Sequence, residues 1–282
     1  MRKPDILPFS PGCEPVHTVY SAIKKACRLI RTGNRLGICC LALLGLAVAA
    51  PLAEAIDHKP AAALQDQCVV LLHGLGRSAG SMDSMAKSLQ AAGFSVINQG
   101  YASTEEDIAV LADQAVSAGI EGCRQTGASH IHFVTHSMGG ILVRIWLARN
   151  PAPEPGRIVM LSPPNHGSEI IDTLGDQTWF QWLMGPASAF LGTGDNSTMQ
   201  DSDSMPLDVG IITGNFSWDP WFSLLIEGED DGKVSVESAK LEGMRDFLVV
   251  SRGHAFIMRA PEVKQQTLHF LRFGRFKRES AE

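Results

Sequence analysis

The chain has 282 residues and carries 24 Lys and Arg against 30 Asp and Glu, a formal net charge of −6 at pH 7. Nucleic-acid phosphates bind basic surfaces, so an acidic protein of this kind is a poor partner for DNA or RNA. We therefore exclude nucleic-acid binding as a function class.

The first 55 residues predict a secretory signal that precedes the folded domain. Residues 38–50 form an uncharged apolar run, five Lys and Arg lie between residues 24 and 35, and Ala53-Glu54-Ala55 follows the run. A positive flank, a short apolar run and a small-x-small site are typical of a signal peptide, here with cleavage after Ala55. The run of residues 38–50 is shorter than the about 20 apolar residues that a membrane span usually needs. We expect a periplasmic or secreted protein; an uncleaved anchor formed by residues 38–56, with membrane association through it, is the alternative.

Residues 56–282 suit a single domain, and a chain of this length can bury roughly 70% of its unfolded surface. The preceding segment holds 7 Lys and Arg and 3 Asp and Glu, which leaves 17 and 27 for the domain, a net charge of −10. Two of the six cysteines remain in the domain, Cys68 and Cys123. In an exported protein such a pair favours a disulfide, and two buried free thiols are the alternative.

Short apolar runs alternate with helical patterns along the domain. Runs that are apolar throughout are typical of strands buried on both faces, whereas apolar residues at helical spacing indicate helices. Ser103 and Glu106 form a predicted capping box for one helix. The predicted strands are 68–72, 94–97, 130–135, 157–161, 209–213 and 247–250, and the helices include 81–92, 139–146 and 263–271.

This alternation predicts an α/β fold, with a mostly parallel sheet of about six strands and helices on both faces. Residues 165–205 lose the periodicity and mix aromatic residues with glycines, so we interpret them as an irregular flap over the sheet. In parallel sheets the working residues gather at the carboxyl ends of the strands. We expect the candidate site residues below to lie at this edge of the sheet.

Ser137 lies between the third strand and a helix, in Thr135-His136-Ser137-Met138-Gly139-Gly140. So tight a strand-to-helix turn pushes the serine hydroxyl out above the sheet, and the helix amides behind it stabilise negative charge. Thr135 stands where the usual G-x-S-x-G pattern has its first glycine, and we expect it to crowd the turn. The alternative is a chance S-x-G at a helix start.

The first strand ends in His73-Gly74-Leu75-Gly76, where an oxyanion-hole loop would lie. We expect the backbone N–H groups of Leu75 and Met138 to face the developing oxyanion, and one such donor typically contributes about 3 kcal/mol. An ordinary glycine-rich strand exit is the alternative. His73 is expected to be a structural residue and not a base.

His254 follows the last strand and is the predicted base, since the order along the chain in this architecture is nucleophile, acid, base. His166 also follows a strand, but it precedes every plausible acid. Asp231 is the predicted acid, because Asp-Gly gives a turn that can aim the side chain inward. Asp219 is an outside candidate, and a solvated acidic loop accounts for the other carboxylates of this stretch, Glu227, Glu229 and Asp230.

These three residue types together perform nucleophilic catalysis. A serine hydroxyl is a poor nucleophile near neutral pH and needs an adjacent base. An imidazole can take the proton and return it to the leaving group, while a carboxylate fixes the imidazole tautomer. The sequence has no metal motif or phosphate loop, so we predict no cofactor and no metal.

With these residues in place, residues 66–272 resemble the α/β-hydrolase superfamily, and above all its compact bacterial lipases and esterases. The motifs that carry the resemblance are VVLLHGLG, HFVTHSMGG, the Pro-Pro-Asn-His-Gly-Ser stretch, and Asp231-Gly232-Lys233-Val234 followed by His254. The resemblance implies that the protein hydrolyses small-molecule or lipid carboxylic esters through an acyl-enzyme. Some of these lipases bind calcium through an Asp two residues after the catalytic His. That position is Phe256 here, so calcium is not carried over.

The same resemblance implies a strand order in which the strand ending at His73 lies beside the strand ending at Thr135. Cys68 and Cys123 then fall at the amino-terminal edge of adjacent strands, which favours a structural disulfide away from the site. Two other activities stay open: an acyltransferase or a lipid or glycolipid deacylase with the same triad, and a non-catalytic binding module. The intact Ser, Asp and His argue against the last.

Overall fold

The computed structural model describes Leu64 and residues 66–154, 156–174, 185–193, 207–217 and 220–278. Six strands lie in this part of the chain: β1 (Gln67–Leu72), β2 (Ser95–Gln99), β3 (His130–His136), β4 (Arg157–Leu161), β5 (Asp208–Gly214) and β6 (Asp246–Val250). The α-helices are α1 (Asp83–Ala91), α2 (Ile108–Gln125), α3 (Met138–Arg149), α4 (Glu169–Leu174), α5 (Pro220–Ser223) and α6 (Pro261–Phe273). Short 3-10 helices span Ala79–Met82, Pro186–Leu191 and His254–Arg259.

The six strands form one sheet in the order β2-β1-β3-β4-β5-β6, and every pairing in it is parallel. Helices α2 and α3 pack on one face of the sheet, and α1 and α6 pack on the other. Each pair of helices buries one apolar cluster against the strands. Both faces of the sheet are therefore covered, as the apolar runs require. The predicted α/β architecture is confirmed.

The predicted capping box is wrong. Helix α2 begins at Ile108, and the Asp107 side chain caps it by accepting a hydrogen bond from the Ala109 amide at 3.0 Å. Asp is as good an N-cap as Ser, and it stands directly before the helix. The Ser103 hydroxyl instead accepts a hydrogen bond from the Gly76 amide at 3.1 Å, so it supports the loop that follows β1.

The segment interpreted as a flap, 165–205, is described only in part. Its described elements are α4 and the 3-10 helix Pro186–Leu191, whose Ile171 and Leu191 pack in the cluster on the α2 and α3 face. The rest of the flap, the predicted signal segment 1–55 and Asp219 lie outside the described residues. Among the residues described, no helix is both long and apolar enough to cross a bilayer.

Cys68 of β1 and Cys123 of α2 are joined by a disulfide, with their Cα atoms 5.5 Å apart. Both residues are fully buried, and Cys68 lies opposite Ile131 in the register of β1 with β3. The predicted pairing and the predicted neighbourhood of these strands are therefore confirmed. The bond closes a loop with a sequence separation of 55. The chain-entropy model assigns such a loop about 4 kcal/mol of stabilisation.

We predict that replacing both cysteines by alanine lowers the free energy of unfolding by about 4 kcal/mol, because the unfolded chain regains that loop freedom. Denaturant unfolding measures the loss. Non-reducing peptide mapping of the wild type should recover one linked peptide that contains Cys68 and Cys123. Recovery of both residues as alkylated thiols would contradict the assignment.

Candidate active site

Ser137 occupies the turn between β3 and α3 with φ 52° and ψ −124°. A non-glycine residue held in so sparsely populated a region costs on the order of 1–3 kcal/mol and is typical of functional sites. Its amide donates to the Leu161 carbonyl of β4 at 2.9 Å, which fixes the turn against the neighbouring strand. Ser162 also has positive φ, at 48°, but it is fully buried. Ser137 is partly exposed and opens into a cavity.

Two glycines after Ser137 make the turn possible. A Cβ on Gly139 would lie 2.8 Å from the carbonyl oxygens of Leu72 and His73, so only glycine lets α3 approach β1 this closely. A Cβ on Gly140 would lie 3.2 Å from the Thr135 hydroxyl. The space that Gly140 leaves therefore accommodates Thr135, which explains how a threonine replaces the first glycine of the usual pattern.

Asp231 and His254 form a hydrogen-bonded pair at the carboxyl edge of the sheet. The Nδ1 atom of His254 lies 2.9 Å from the Oδ2 atom of Asp231, and the His254 amide also donates to the Asp231 carbonyl at 2.9 Å. The Asp231 side chain has 0% exposure and that of His254 has 12%. Because Nδ1 is taken by the carboxylate, Nε2 is the nitrogen left to exchange a proton with a nucleophile.

The loop after Asp231 holds its carboxylate in place. The Oδ1 atom accepts hydrogen bonds from the Lys233 amide at 3.1 Å and the Val234 amide at 2.9 Å. Asp230 is turned away: its Oδ1 atom accepts from the Ser223 hydroxyl at 2.9 Å and the Gly232 amide at 2.7 Å. Glu227 and Glu229, the other two carboxylates of the stretch, are exposed. Of the acidic residues of this stretch, the structure thus pairs Asp231 with His254.

Ser137 and His254 share the lining of one cavity of about 240 Å³. The rest of that lining is mainly apolar and consists of Gly74, Leu75, Arg77, His136, Pro164, Ser168, Ile171, Leu191, Lys233, Val234 and Ala255. His166, the competing histidine, has an exposed ring and is not part of this lining. The geometry thus brings together the predicted nucleophile, base and acid.

The two predicted oxyanion donors belong to the loop after β1 and to the first residue of α3. Leu75 lines the cavity, and its amide donates to no acceptor among the described residues. Met138 is the first residue of α3, so the helix itself provides no acceptor for its N–H. Neither amide is used by the hydrogen bonds of its own element, so the assignment of both as oxyanion donors stays a prediction.

The loop at His73 is held by residues that follow β2. The Tyr101 hydroxyl donates to the His73 carbonyl, and the two rings stack with centroids 4.0 Å apart. The His73 ring donates from Nδ1 to the Gly74 carbonyl at 2.9 Å and accepts at Nε2 from the Tyr101 amide at 3.4 Å. Burial lowers the pKa of His73 and raises the pKa of Tyr101, so both stay uncharged. His73 is structural, as expected.

His136 supports the backbone of His254 by a hydrogen bond. Its ring is fully buried and donates from Nε2 to the backbone carbonyl of His254 at 3.0 Å, and the two ring centroids are 4.9 Å apart. Burial and the nearby His254 hold the pKa of His136 well below its usual value. A neutral ring that donates to this carbonyl positions the base without adding charge. The sequence alone assigns no role to His136, because the carbonyl that it contacts lies 118 residues away in the chain.

The Pro-Pro-Asn-His-Gly-Ser stretch has a positioning role as well. The fully buried Arg144 guanidinium donates to the Asn165 carbonyl at 2.9 Å and to its side-chain oxygen at 3.2 Å. Asn165 in turn donates to the Ala239 carbonyl at 2.8 Å, and the Ser168 hydroxyl donates to the Lys233 carbonyl at 2.7 Å. These bonds connect the loop after β4 to the loop that carries the acid.

Residues 67–202 match the family model for the α/β-hydrolase fold. Together with the sheet order and the turn at Ser137, this match shows that the chain has the α/β-hydrolase fold. No curated protein sequence matches the chain.

Several solved structures share the fold. A mature lipase from Bacillus licheniformis has a TM-score of 0.58 at 19% identity, over 72% of this chain and 90% of the lipase. A metagenomic carboxyl esterase has a TM-score of 0.56 at 18% identity, over 67% and 65% of the two chains. A phospholipase from Legionella pneumophila has a TM-score of 0.55 at 19% identity, over 72% and 56%. At these identities the likeness concerns the fold.

We predict that Tyr101→Phe lowers kcat about tenfold and changes KM less than twofold. The substitution leaves the buried His73 carbonyl without its donor and loosens the loop that carries the Leu75 amide. That amide is proposed to bind the oxyanion, an interaction that forms in the transition state and therefore affects kcat more than KM. Steady-state kinetics on a soluble ester measures the split. A variant with lowered thermal stability but unchanged kcat would contradict this role for Tyr101.

Proposed function

We propose that the protein is a serine hydrolase that cleaves carboxylic esters, with Ser137 as nucleophile, His254 as base and Asp231 as acid. The observation that carries the proposal is the 2.9 Å bond from Asp231 to His254 beside a cavity that Ser137 also lines. The buried carboxylate fixes the tautomer of the imidazole and stabilises its protonated form. That arrangement is what a serine hydroxyl needs in order to act as a nucleophile near neutral pH.

The reaction proceeds in two halves. Nε2 of His254 takes the hydroxyl proton of Ser137 while Oγ attacks the ester carbonyl, and the resulting oxyanion accepts hydrogen bonds from the amides of Leu75 and Met138. The C–O bond breaks, and the alcohol leaves with the proton from His254. Water then attacks the acyl-enzyme, gives its proton to His254 and releases the acid, while Ser137 recovers its proton.

The solved structures that share the fold support an ester as the bond that is cleaved. The names of the three structures above are those of a lipase, a carboxyl esterase and a phospholipase, each of which implies action on esters. The cavity beside Ser137 is lined largely by Leu75, Pro164, Ile171, Leu191 and Val234. Apolar walls of this kind fit the hydrocarbon part of an ester better than a polar substrate.

We further propose that the enzyme works outside the cytoplasm. Its domain contains a buried disulfide, and disulfides persist mainly in oxidising compartments such as the periplasm or the extracellular space. The predicted signal segment 1–55 points the same way. Detection of the chain, cut after Ala55, in a periplasmic or culture fraction supports export.

Ser137→Ala and His254→Ala are each predicted to reduce kcat on p-nitrophenyl butyrate by on the order of 10⁶, since the members of such a triad act as a unit. His166→Ala is the matched control and should keep wild-type activity, because its exposed ring is not part of the cavity lining. Retained activity in His254→Ala together with loss of activity in His166→Ala would assign the base to His166.

Asp231→Asn is predicted to reduce kcat by on the order of 10⁴, because an amide at this position favours the wrong imidazole tautomer. Asp230→Asn should cost far less activity, since its carboxylate bonds to Ser223 and Gly232 and not to His254. Both variants are compared in kcat and in melting temperature. The reverse ranking in kcat would assign the acid to Asp230.

A further inference from the structure

Two arginines share one exposed aromatic ring beside the candidate active site. The Arg77 guanidinium carbon lies 5.7 Å from the centroid of the Phe256 ring, and that of Arg259 lies 5.2 Å from the same centroid. Phe256 is 59% exposed, so the ring and both cations stand at the surface. Arg77 follows β1 in the predicted oxyanion loop, and the other two residues belong to the 3-10 helix that begins at His254.

Neither Arg77 nor Arg259 has a carboxylate partner in the described part of the chain. This is notable in an acidic protein whose other surface arginines are often paired, as in Arg124–Glu154, Arg157–Asp208, Arg245–Asp208, Arg252–Glu262 and Arg278–Asp246. Two like charges at one ring repel each other, and the ring offsets only part of that cost. An anion bound between them would relieve the repulsion.

Arg77 and Arg259 line cavities that adjoin the candidate active site. Arg77 lines the same cavity as Ser137, and no Asp or Glu is among the residues that line it. Arg259 and Phe256 line a second cavity of about 570 Å³, which His254 and Ala255 also border. Burial is the main cause that lowers the pKa of His136, and the charge of Arg77 contributes to that shift.

From this geometry we propose that Arg77 and Arg259 form a subsite for an anionic group, a phosphate or carboxylate, on the ester substrate itself. The proposal rests on the proposed ester hydrolysis and names its substrate class. That class is an ester with an apolar acyl chain that also carries a phosphate or carboxylate group near the scissile bond. Guanidinium groups suit this task because their planar donors bind such oxyanions in pairs. Stacking on Phe256 holds them in place before the substrate arrives.

The test compares matched substrates that differ in one anionic group. The first pair is mono-octanoylglycerol and its phosphate ester, and the second is p-nitrophenyl hexanoate and the mono-p-nitrophenyl ester of adipic acid. All are used as monomers in solution, so no membrane surface takes part. For the wild-type full chain we expect kcat/KM to be about tenfold higher for the anionic member of at least one pair. Added NaCl should reduce this ratio.

Arg77→Gln and Arg259→Gln should each bring the ratio of anionic to neutral kcat/KM towards one. Arg275→Gln is the matched control, because it removes the same charge from an exposed residue after α6. Its neighbour Gly274 accepts a hydrogen bond at 3.0 Å from Arg245, which directly precedes β6 at the edge of the sheet opposite Ser137. The ratio for this variant should equal that of the wild type. Melting temperatures confirm that each variant is folded.

The outcomes separate the two proposals. A wild type that hydrolyses the neutral esters and shows no preference in either pair would overturn the anionic subsite and leave ester hydrolysis standing. A wild type inactive on every ester would overturn ester hydrolysis, and the subsite with it. Equal rates within both pairs, combined with binding to phosphatidylglycerol vesicles that Arg77→Gln abolishes, would assign the arginines to a lipid surface and overturn the substrate subsite.

Discussion

The parallel pairing of β1 with β3 sets Leu72 opposite Thr135, so the loops that follow these two residues leave the sheet side by side. One loop carries the Leu75 amide and the other carries Ser137 and the Met138 amide. Their backbones approach so closely that a Cβ at Gly139 would meet two carbonyl oxygens of the first loop. The predicted nucleophile and the predicted oxyanion donors therefore depend on one strand register, and the disulfide at the other end of β1 helps to hold that register.

Burial controls charge around the nucleophile. His73 follows β1 and His136 is the last residue of β3, directly before Ser137, and burial lowers the pKa of both. Each uses its neutral ring for hydrogen bonds that position backbone: His73 holds Gly74, and His136 holds the carbonyl of His254. Only His254 has a buried carboxylate partner for its ring. The site thus contains three histidines in different environments, and the one beside Asp231 is equipped to carry a proton.

Local patterns were sufficient to predict the strands and the turn at Ser137, because their apolar runs are evident. They also selected the two residues that the structure pairs, His254 directly after β6 and Asp231 in the long loop between β5 and β6. They could not reveal contacts between residues far apart in the sequence. Tyr101 meets His73 only because β2 lies beside β1, and Arg77 meets Phe256 only because the loops after β1 and β6 converge at the same edge of the sheet. Even at close range, Asp107 displaced the expected cap because several polar residues compete at one helix start.

The central claim is that Ser137 is a nucleophile activated by His254, and covalent labelling tests it most directly. A fluorophosphonate reacts with an activated serine, and intact-mass measurement followed by peptide mapping locates the adduct. We predict one adduct on the wild-type chain, at Ser137, with no labelling of Ser137→Ala and strongly slowed labelling of His254→Ala. An unlabelled wild type, or an adduct on another serine such as Ser162, would contradict the account.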